Sequence, residues 1–117
     1  MGVSEPLIQT SLLGEAVENG PAAVFVADEE GRYVAVNPAA CSLLGYSREE
    51  LLAMQVSDVA QDDEAADELS AMRTSGGTSI GTSVLTRKDG TSFDFTFVAG
   101  ATIVAGMSVY VAVGAVT

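Results

Sequence analysis

Side chains able to do chemistry are few in this chain of 117 residues, which has no histidine and a single cysteine, Cys41. The chain therefore lacks the ligands of a zinc cluster, the commonest general base and an internal disulfide. No lysine, arginine or histidine lies within six residues of Cys41, so nothing nearby in sequence stabilises its thiolate. The sequence favours a buried, unreactive thiol over a redox sensor. It predicts no catalytic residue, no metal site and no enzymatic activity.

Acidic residues outnumber basic residues by 16 to 5, which gives a formal net charge of −11. This charge opposes binding to nucleic acid and to anionic membrane surfaces. Acidic residues concentrate between positions 62 and 68, but carboxylates on a helix diverge, so this segment indicates a solvated face and not a cation site. The basic residues are too scattered to form a phosphate-binding cluster: they are Arg32, Arg48, Arg73, Arg87 and Lys88.

One uncharged stretch runs from Phe95 to Thr117 and is long enough to cross a bilayer. It contains three glycines and is rich in β-branched residues, which are typical of strands. We therefore predict most of one strand, a turn, and a second strand buried on both faces. The N-terminus has no basic segment before an apolar one, so no signal peptide is predicted and the chain is expected in the cytoplasm.

A small set of helices and strands must position these residues. Apolar residues at helical spacing predict an N-terminal helix that Gly20-Pro21 ends. Asn37-Pro38 suits a second helix start, and Ser47 with Glu50 has the spacing of a capping box. We divide the chain into an N-terminal helix, residues 1–20, and a core, residues 21–117. The predicted helices cover residues 4–19, 38–44, 48–54 and 62–75, with one further turn at 58–60, and the predicted strands cover 22–28, 32–37, 78–87, 91–99 and 103–116.

Four short motifs, in this order and spacing, make the chain similar to PAS domains. They are Phe25-Val26-Ala27-Asp28 with Gly31, Val36-Asn37-Pro38-Ala39-Ala40, Leu44-Gly45-Tyr46-Ser47-Arg48-Glu49-Glu50-Leu51, and Arg87-Lys88-Asp89-Gly90. On these residues, the resemblance implies an α+β fold with a five-stranded antiparallel sheet of order 2-1-5-4-3, short helices on one face and an N-terminal helix. It also implies a sensory module that relays a signal to an attached output domain.

The resemblance and the alternation of the strands together predict an apolar inner face of the sheet. Either these side chains simply fill the core, or they line a cavity for a small, neutral, apolar ligand. The sequence leaves both interpretations open. The residues expected to point inward are Phe25, Ala27, Leu85, Phe93, Phe95, Phe97, Val109, Val111 and Val113, with Leu69 and Met72 closing the face from the long helix.

The cofactors of PAS relatives are not expected in this chain. The resemblance places Val56 at the reactive cysteine of the flavin-binding subfamily, and Leu85, Phe95 and Val113 at its ring-binding Asn and Gln positions. None of these side chains can hydrogen-bond a flavin. Haem-binding PAS domains mostly use a histidine, which the chain lacks, and anion sensors need clustered cations. We therefore expect neither flavin nor haem.

Both ends of the chain bear on its partners. The N-terminal helix carries more apolar residues than one buried face requires, and PAS relatives commonly dimerise through this helix and the outer sheet face, so a homodimer is predicted.

At the other end, Ala115-Val116-Thr117 lacks the aspartate that usually couples the core to a C-terminal output domain. The predicted function is a sensory domain with a small apolar ligand; the alternative is a ligand-free dimerisation and relay module. The apolar residues of the helix are Ile8, Leu12, Leu13, Ala16 and Val17.

Overall fold

A computed structural model of the chain describes residues 5–60 and 78–116. In this part of the chain, a longer helix precedes one five-stranded sheet with three short helices. The helix predicted over residues 62–75, with its Leu69 and Met72, lies outside the described residues. The helices are α1 (Glu5–Asn19), α2 (Pro38–Leu44), α3 (Arg48–Leu52) and α4 (Val56–Val59), and the strands are β1 (Ala23–Asp28), β2 (Tyr33–Val36), β3 (Thr78–Thr86), β4 (Ser92–Val104) and β5 (Met107–Val116).

The strands pair in the order β2-β1-β5-β4-β3, and every neighbouring pair is antiparallel. This order confirms the fold class implied by the PAS resemblance. Hydrophobic residues of α2, α3 and α4 pack in one core cluster with the inner face of the sheet, among them Leu44, Leu51 and Val59. The last strand, β5, lies between β1 and β4, and its Val109 and Tyr110 are buried.

The capping motifs position the short helices as predicted. The side chain of Asn37 accepts a hydrogen bond at the start of α2, and Gly45 ends that helix with a φ of 79°. Ser47 and Glu50 form the expected capping box of α3. The loop of the first hairpin ends in Gly31, whose φ of 85° favours glycine.

The uncharged stretch from Phe95 onward forms the hairpin of β4 and β5. The two strands turn at Ala105 and Gly106, whose φ angles are 51° and 78°. The turn predicted between residues 99 and 103 is therefore wrong, because Gly100 continues β4 and pairs with Val111. Among the described residues, no helix is long and apolar enough to span a bilayer.

The side chains of β5 face the opposite way from the prediction. Residues opposite each other in an antiparallel pair share one face of the sheet. Ala112 lies opposite Phe25, so the alternate residues Tyr110, Ala112 and Gly114 face inward. Val109, Val111 and Val113 lie opposite Asp28, Val26 and Val24 on the outer face, which corrects the prediction that they point into the core.

Close packing at Gly114 gives a physical reason for this orientation. A Cβ atom at Gly114 would lie 2.8 Å from Cζ of Phe95 and 2.9 Å from Cα of Phe97. The inner face of β5 therefore needs a small residue beneath the aromatic side chains of β4. Burial on both faces is also wrong for the second half of β5, since Val113 is 40% exposed and Val116 is 47% exposed.

Candidate functional site

An apolar cavity of about 90 Å³ lies on the inner face of the sheet, next to α4. All five strands contribute to its walls, and Val56 and Ala60 border it from the α4 segment. An antiparallel bridge between Ala60 and Leu85 ties this segment to β3. The described residues that line the cavity are Phe25, Ala27, Tyr33, Val56, Ala60, Ser83, Leu85, Phe95, Phe97, Ala99, Tyr110, Val111 and Ala112.

Small residues on the central strands leave this space unfilled. Ala99 and Ala112 are directly paired on β4 and β5, and Ala112 also lies opposite Phe25 on β1. Ala27 adds a third small side chain, one inward-facing position further along β1. Because a methyl group is much shorter than the neighbouring aromatic rings, these positions produce a hollow in the inner face of the sheet.

Aromatic rings form the wall beside this hollow. The rings of Phe25 and Phe95 meet edge to face with centroids 5.8 Å apart, while the rings of Phe95 and Phe97 stack at 6.1 Å. Tyr33 leans against Phe25 with the ring centroids 5.6 Å apart. These are the favoured geometries and distances of aromatic pairs, so the wall is a packed unit.

The hydroxyl group of Tyr33 in the cavity lining is neutral at physiological pH. Burial raises the pKa of Tyr33 well above its ordinary value, and the nearby carboxylate of Asp58 raises this pKa further. Ser83, which is 7% exposed, and Tyr110 add two further hydroxyl groups to the lining. None of the described lining residues is acidic or basic. The cavity therefore suits an uncharged molecule, because a charged one would lose its hydration without gaining an ion pair.

The structure brings some of the predicted site residues together and separates others. Phe93 does not line the cavity. Its ring packs instead against Arg87, with 4.2 Å between the ring centroid and Cζ of the guanidinium. Val109 and Val113 face the outer side, whereas Val111 borders the cavity beside its two inward-facing neighbours. Leu69 and Met72 lie outside the described residues. The predicted residues that line the cavity are Phe25, Ala27, Leu85, Phe95, Phe97 and Val111.

Sequence reasoning missed the polar and small residues of the lining. Tyr110 and Ala112 were assigned to the wrong face with the rest of β5. Ser83 and Ala99 attract little notice in a sequence, because neither is typical of a large apolar core. Ser83 lies opposite Phe95 on the neighbouring strand, and Ala99 lies opposite Ser79 and Ala112, so strand pairing and not a local pattern places them in the lining.

The four residues that the PAS resemblance aligns with flavin contacts are apolar. Val56, Leu85 and Phe95 line the cavity but carry no hydrogen-bonding group, and Val113 faces the other side of the sheet. The cavity is also smaller than the roughly 150 Å³ known to accommodate benzene. No group of three potential metal-ligating side chains occurs within residues 5–60 and 78–116.

Asn37 forms a polar junction beside the apolar core and is only 2% exposed. Its Oδ1 atom accepts hydrogen bonds from the backbone N–H groups of Ala40, at 3.1 Å, and Val24, at 3.0 Å. Its Nδ2 atom donates to the carbonyl oxygens of Val17, at 2.7 Å, and Ala22, at 2.8 Å. Asn37 is thus both the predicted helix cap and a link between α1, β1 and α2.

Cys41 is half-buried on α2, close to this junction. Burial raises the pKa of its thiol, and the opposing influence of the Arg48 guanidinium is smaller. The thiol is therefore protonated at neutral pH, although Cys41 is less buried than the sequence predicts.

Solved structures of PAS domains have a similar fold. The PAS domain of an HTR-like protein from Haloarcula marismortui superimposes with a TM-score of 0.82 at 24% identity, covering 97% of each chain. A PAS domain from a two-component sensor histidine kinase gives a TM-score of 0.81 at 18% identity, covering 97% of this chain and 100% of that one. A domain of a sensory box sensor histidine kinase/response regulator from Geobacter sulfurreducens gives 0.81 at 22% identity, covering 97% and 98%.

The sequence comparisons are consistent with these structures. No curated protein matches the chain. A family model described as PAS domain matches residues 21–117, which include every strand of the sheet and the three short helices. The chain therefore belongs to the PAS domain family.

Proposed function

We propose that this PAS domain is a sensory module that binds a small, neutral, apolar molecule in the inner cavity and relays its presence to an attached output domain. The observation that carries this proposal is the uncharged cavity of about 90 Å³ beside a packed aromatic wall. A core that only served stability would gain from larger residues at the small-residue positions, because filling a void adds dispersion contacts.

Ligand size links binding to the relay in this proposal. A molecule larger than the cavity must displace the residues that cover it, and the described cover includes Val56 and Ala60. Backbone hydrogen bonds hold the α3–α4 segment to β2 and to the loop before it: the N–H of Tyr33 donates to Met54, and the N–H of Val56 donates to Gly31. Binding would shift the equilibrium between two positions of the α3–α4 segment by the difference in affinity for them.

The proposal includes no enzymatic step, no flavin, no haem and no nucleic acid, and it places the domain in the cytoplasm. The exclusion of flavin is supported by the apolar side chains of Val56, Leu85 and Phe95, which have no group that could hydrogen-bond a flavin ring. The net charge of −11 supports the exclusion of nucleic acid. The described part of the chain contains no helix that could span a membrane, which is compatible with the proposed location.

Purified protein should carry a stoichiometric small molecule that organic extraction and mass spectrometry detect. The same sample should be colourless, without bands near about 450 nm or in the Soret region, because the positions aligned with flavin contacts are apolar and the chain has no histidine for haem. Either absorption band would contradict the cofactor-free proposal. Extraction of no small molecule from several expression hosts would favour the ligand-free alternative.

A cavity-filling variant tests the location of binding with a defined probe. Xenon enters dry apolar cavities, so xenon pressure should shift the methyl NMR signals of Ala27 and Ala112. Ala99→Leu should abolish these shifts, because its side chain would occupy the space opposite Ala112. Ala35→Leu is the matched control, because Ala35 is exposed on an edge strand. Equal shifts in both variants would show that xenon binds elsewhere.

The surface of α1 supports a second candidate function, a dimerisation and relay module. Four apolar side chains of this helix are about half exposed or more: Ile8 at 53%, Leu12 at 55%, Leu13 at 67% and Val17 at 47%. Burying them against a second copy of the chain would contribute about 25 cal/mol per Å². Repulsion between two acidic copies opposes this gain and weakens as ionic strength rises.

Sedimentation should show a dimer of the intact chain at tens of micromolar, favoured by added salt, and a monomer of a chain that begins at Gly20. Leu12→Glu should also give a monomer, because it places a charge within the exposed apolar residues of α1. Ser11→Glu adds the same charge at the neighbouring exposed position and is the control. Monomeric intact protein at high salt would rule out the dimer.

A further inference from the structure

The last turn of α1 is attached to the rest of the domain by polar contacts. The carbonyl oxygen of Val17 accepts a hydrogen bond from Nδ2 of Asn37 at 2.7 Å. One residue further on, both carboxylate oxygens of Glu18 bind Nη2 of Arg48, at 2.9 and 2.8 Å. The apolar side chains of α1 contribute less to this attachment, because even Val17 is 47% exposed.

Both contacts lead from α1 directly to the start of a short helix of the core. Asn37 is the N-terminal cap of α2, and Arg48 is the first residue of α3. The Nε atom of Arg48 also donates to the carbonyl oxygen of Val36, at 3.2 Å. Arg48 therefore contacts α1, the end of β2 and its own helix, so movement of α3 changes the position of the group that holds Glu18.

The two contacts differ in how easily they can be broken. Asn37 is 2% exposed, so separating it from its backbone partners would leave buried polar groups unpaired. The side chains of Arg48 and Glu18 are each 46% exposed, and water replaces such an ion pair at little cost. The Asn37 contact is thus hard to break, and the Arg48–Glu18 ion pair is the releasable contact.

The connection after α1 is short and requires glycine. Gly20 follows the helix directly, and a Cβ atom at this position would collide with the carbonyl oxygen of Ala16. Only glycine leaves room for this tight exit from the helix, and Pro21 precedes β1. Asn37 binds Val17 before this exit and Ala22 after it, so the exit from the helix lies at the Asn37 contact.

We propose that the Arg48–Glu18 ion pair is a positioning contact that sets the direction of α1 about a fixed pivot at Asn37. Displacement of α3 releases or moves the ion pair and reorients the helix. The consequence for signalling rests on the proposed function, in which α1 is the dimerisation helix. The geometry itself depends on neither ligand nor dimer, so it can be tested separately.

Pulsed electron paramagnetic resonance can measure the direction of α1 directly. Nitroxide labels at Ser11→Cys and Asp94→Cys, in a Cys41→Ala background, report the distance from α1 to the outer face of β4. Labelled chains are diluted with unlabelled protein so that distances between subunits do not contribute. Without ligand, the parent should give one narrow distribution. Glu18→Gln should broaden that distribution about twofold or more, because the releasable contact is lost.

Two further variants make the outcome decisive. The charge swap Glu18→Arg with Arg48→Glu should restore a narrow distribution, since it rebuilds an ion pair between the same positions. Glu15→Gln removes an equal charge from the same helix and should leave the parent distribution unchanged. A broad distribution in the parent, an unchanged one in Glu18→Gln, or failure of the charge swap to restore it would each overturn the proposal. A failed ligand or dimer experiment would leave these outcomes unaffected.

Discussion

Replacing Phe95 with alanine should lower the free energy of unfolding by about 3–5 kcal/mol, the range typical of a large aromatic residue removed from a packed core. Phe95 is 3% exposed, and its ring contacts those of Phe25 and Phe97. The ring also covers the backbone at Gly114. Because the rigid strands on either side cannot close over the vacated space, most of the lost packing should appear as lost stability.

Chemical denaturation measures this loss, and Val98→Ala provides a control on the same strand. Val98 faces the outer side of the sheet and is 50% exposed, so its truncation should cost less than about 1 kcal/mol. A loss below about 1 kcal/mol for Phe95→Ala would contradict the packed aromatic wall. It would indicate instead that the adjacent cavity already gives the core freedom to rearrange.

The architecture was predictable because its signals are local or belong to the family pattern. Gly31, Gly45 and the Ser47–Glu50 capping box each fix a turn or a helix end within a few residues. The strand order came from the PAS resemblance, since neither hydrophobic periodicity nor capping specifies which non-consecutive strands pair. The structure shows this order directly.

The facing of β5 was not predictable from residue size and hydrophobicity. Valines alternate with small residues and a tyrosine along this strand, and the valines look more suitable for a core. A shift of one residue moves every side chain to the other face. Strand β4 decides between the faces, because the ring of Phe95 and the backbone of Thr96 and Phe97 leave room only for glycine at Gly114.

The end of β4 was missed for a different reason. Gly100 and Gly106 both interrupt an uncharged, apolar stretch, and either could mark the turn. The turn falls at Gly106, which has a φ of 78°, while Gly100 stays in the strand and pairs with both Thr78 and Val111. Glycine is tolerated in a strand interior where no side chain must pack, so its presence alone does not locate a turn.

The full role of Asn37 could not be read from the sequence either. The Asn-Pro motif predicts the helix cap, which involves Ala40 three residues later. The other partners, Val17, Ala22 and Val24, lie 20, 15 and 13 residues away along the chain. Contacts at such separations depend on how α1 and β1 pack against α2, and no local pattern encodes that arrangement.

Asn37→Ala should therefore destabilise the domain by about 3–5 kcal/mol, much more than the loss of an ordinary helix cap. The substitution removes four hydrogen bonds at a position that is 2% exposed. Backbone groups that lose a partner in a buried site each carry a penalty of about 1–3 kcal/mol, although water entering the vacated space would offset part of the total.

Ser47→Ala separates capping from the rest of this effect. Ser47 is also an N-cap, but it is exposed, and its hydroxyl accepts only the hydrogen bond from Glu50 among the described side-chain contacts. Its replacement should cost about 1 kcal/mol. Equal losses for the two variants in chemical denaturation would mean that Asn37 acts as a cap alone. A larger loss for Asn37→Ala, with α1 becoming sensitive to proteolysis before the sheet, would show that this carboxamide joins the N-terminal helix to the core.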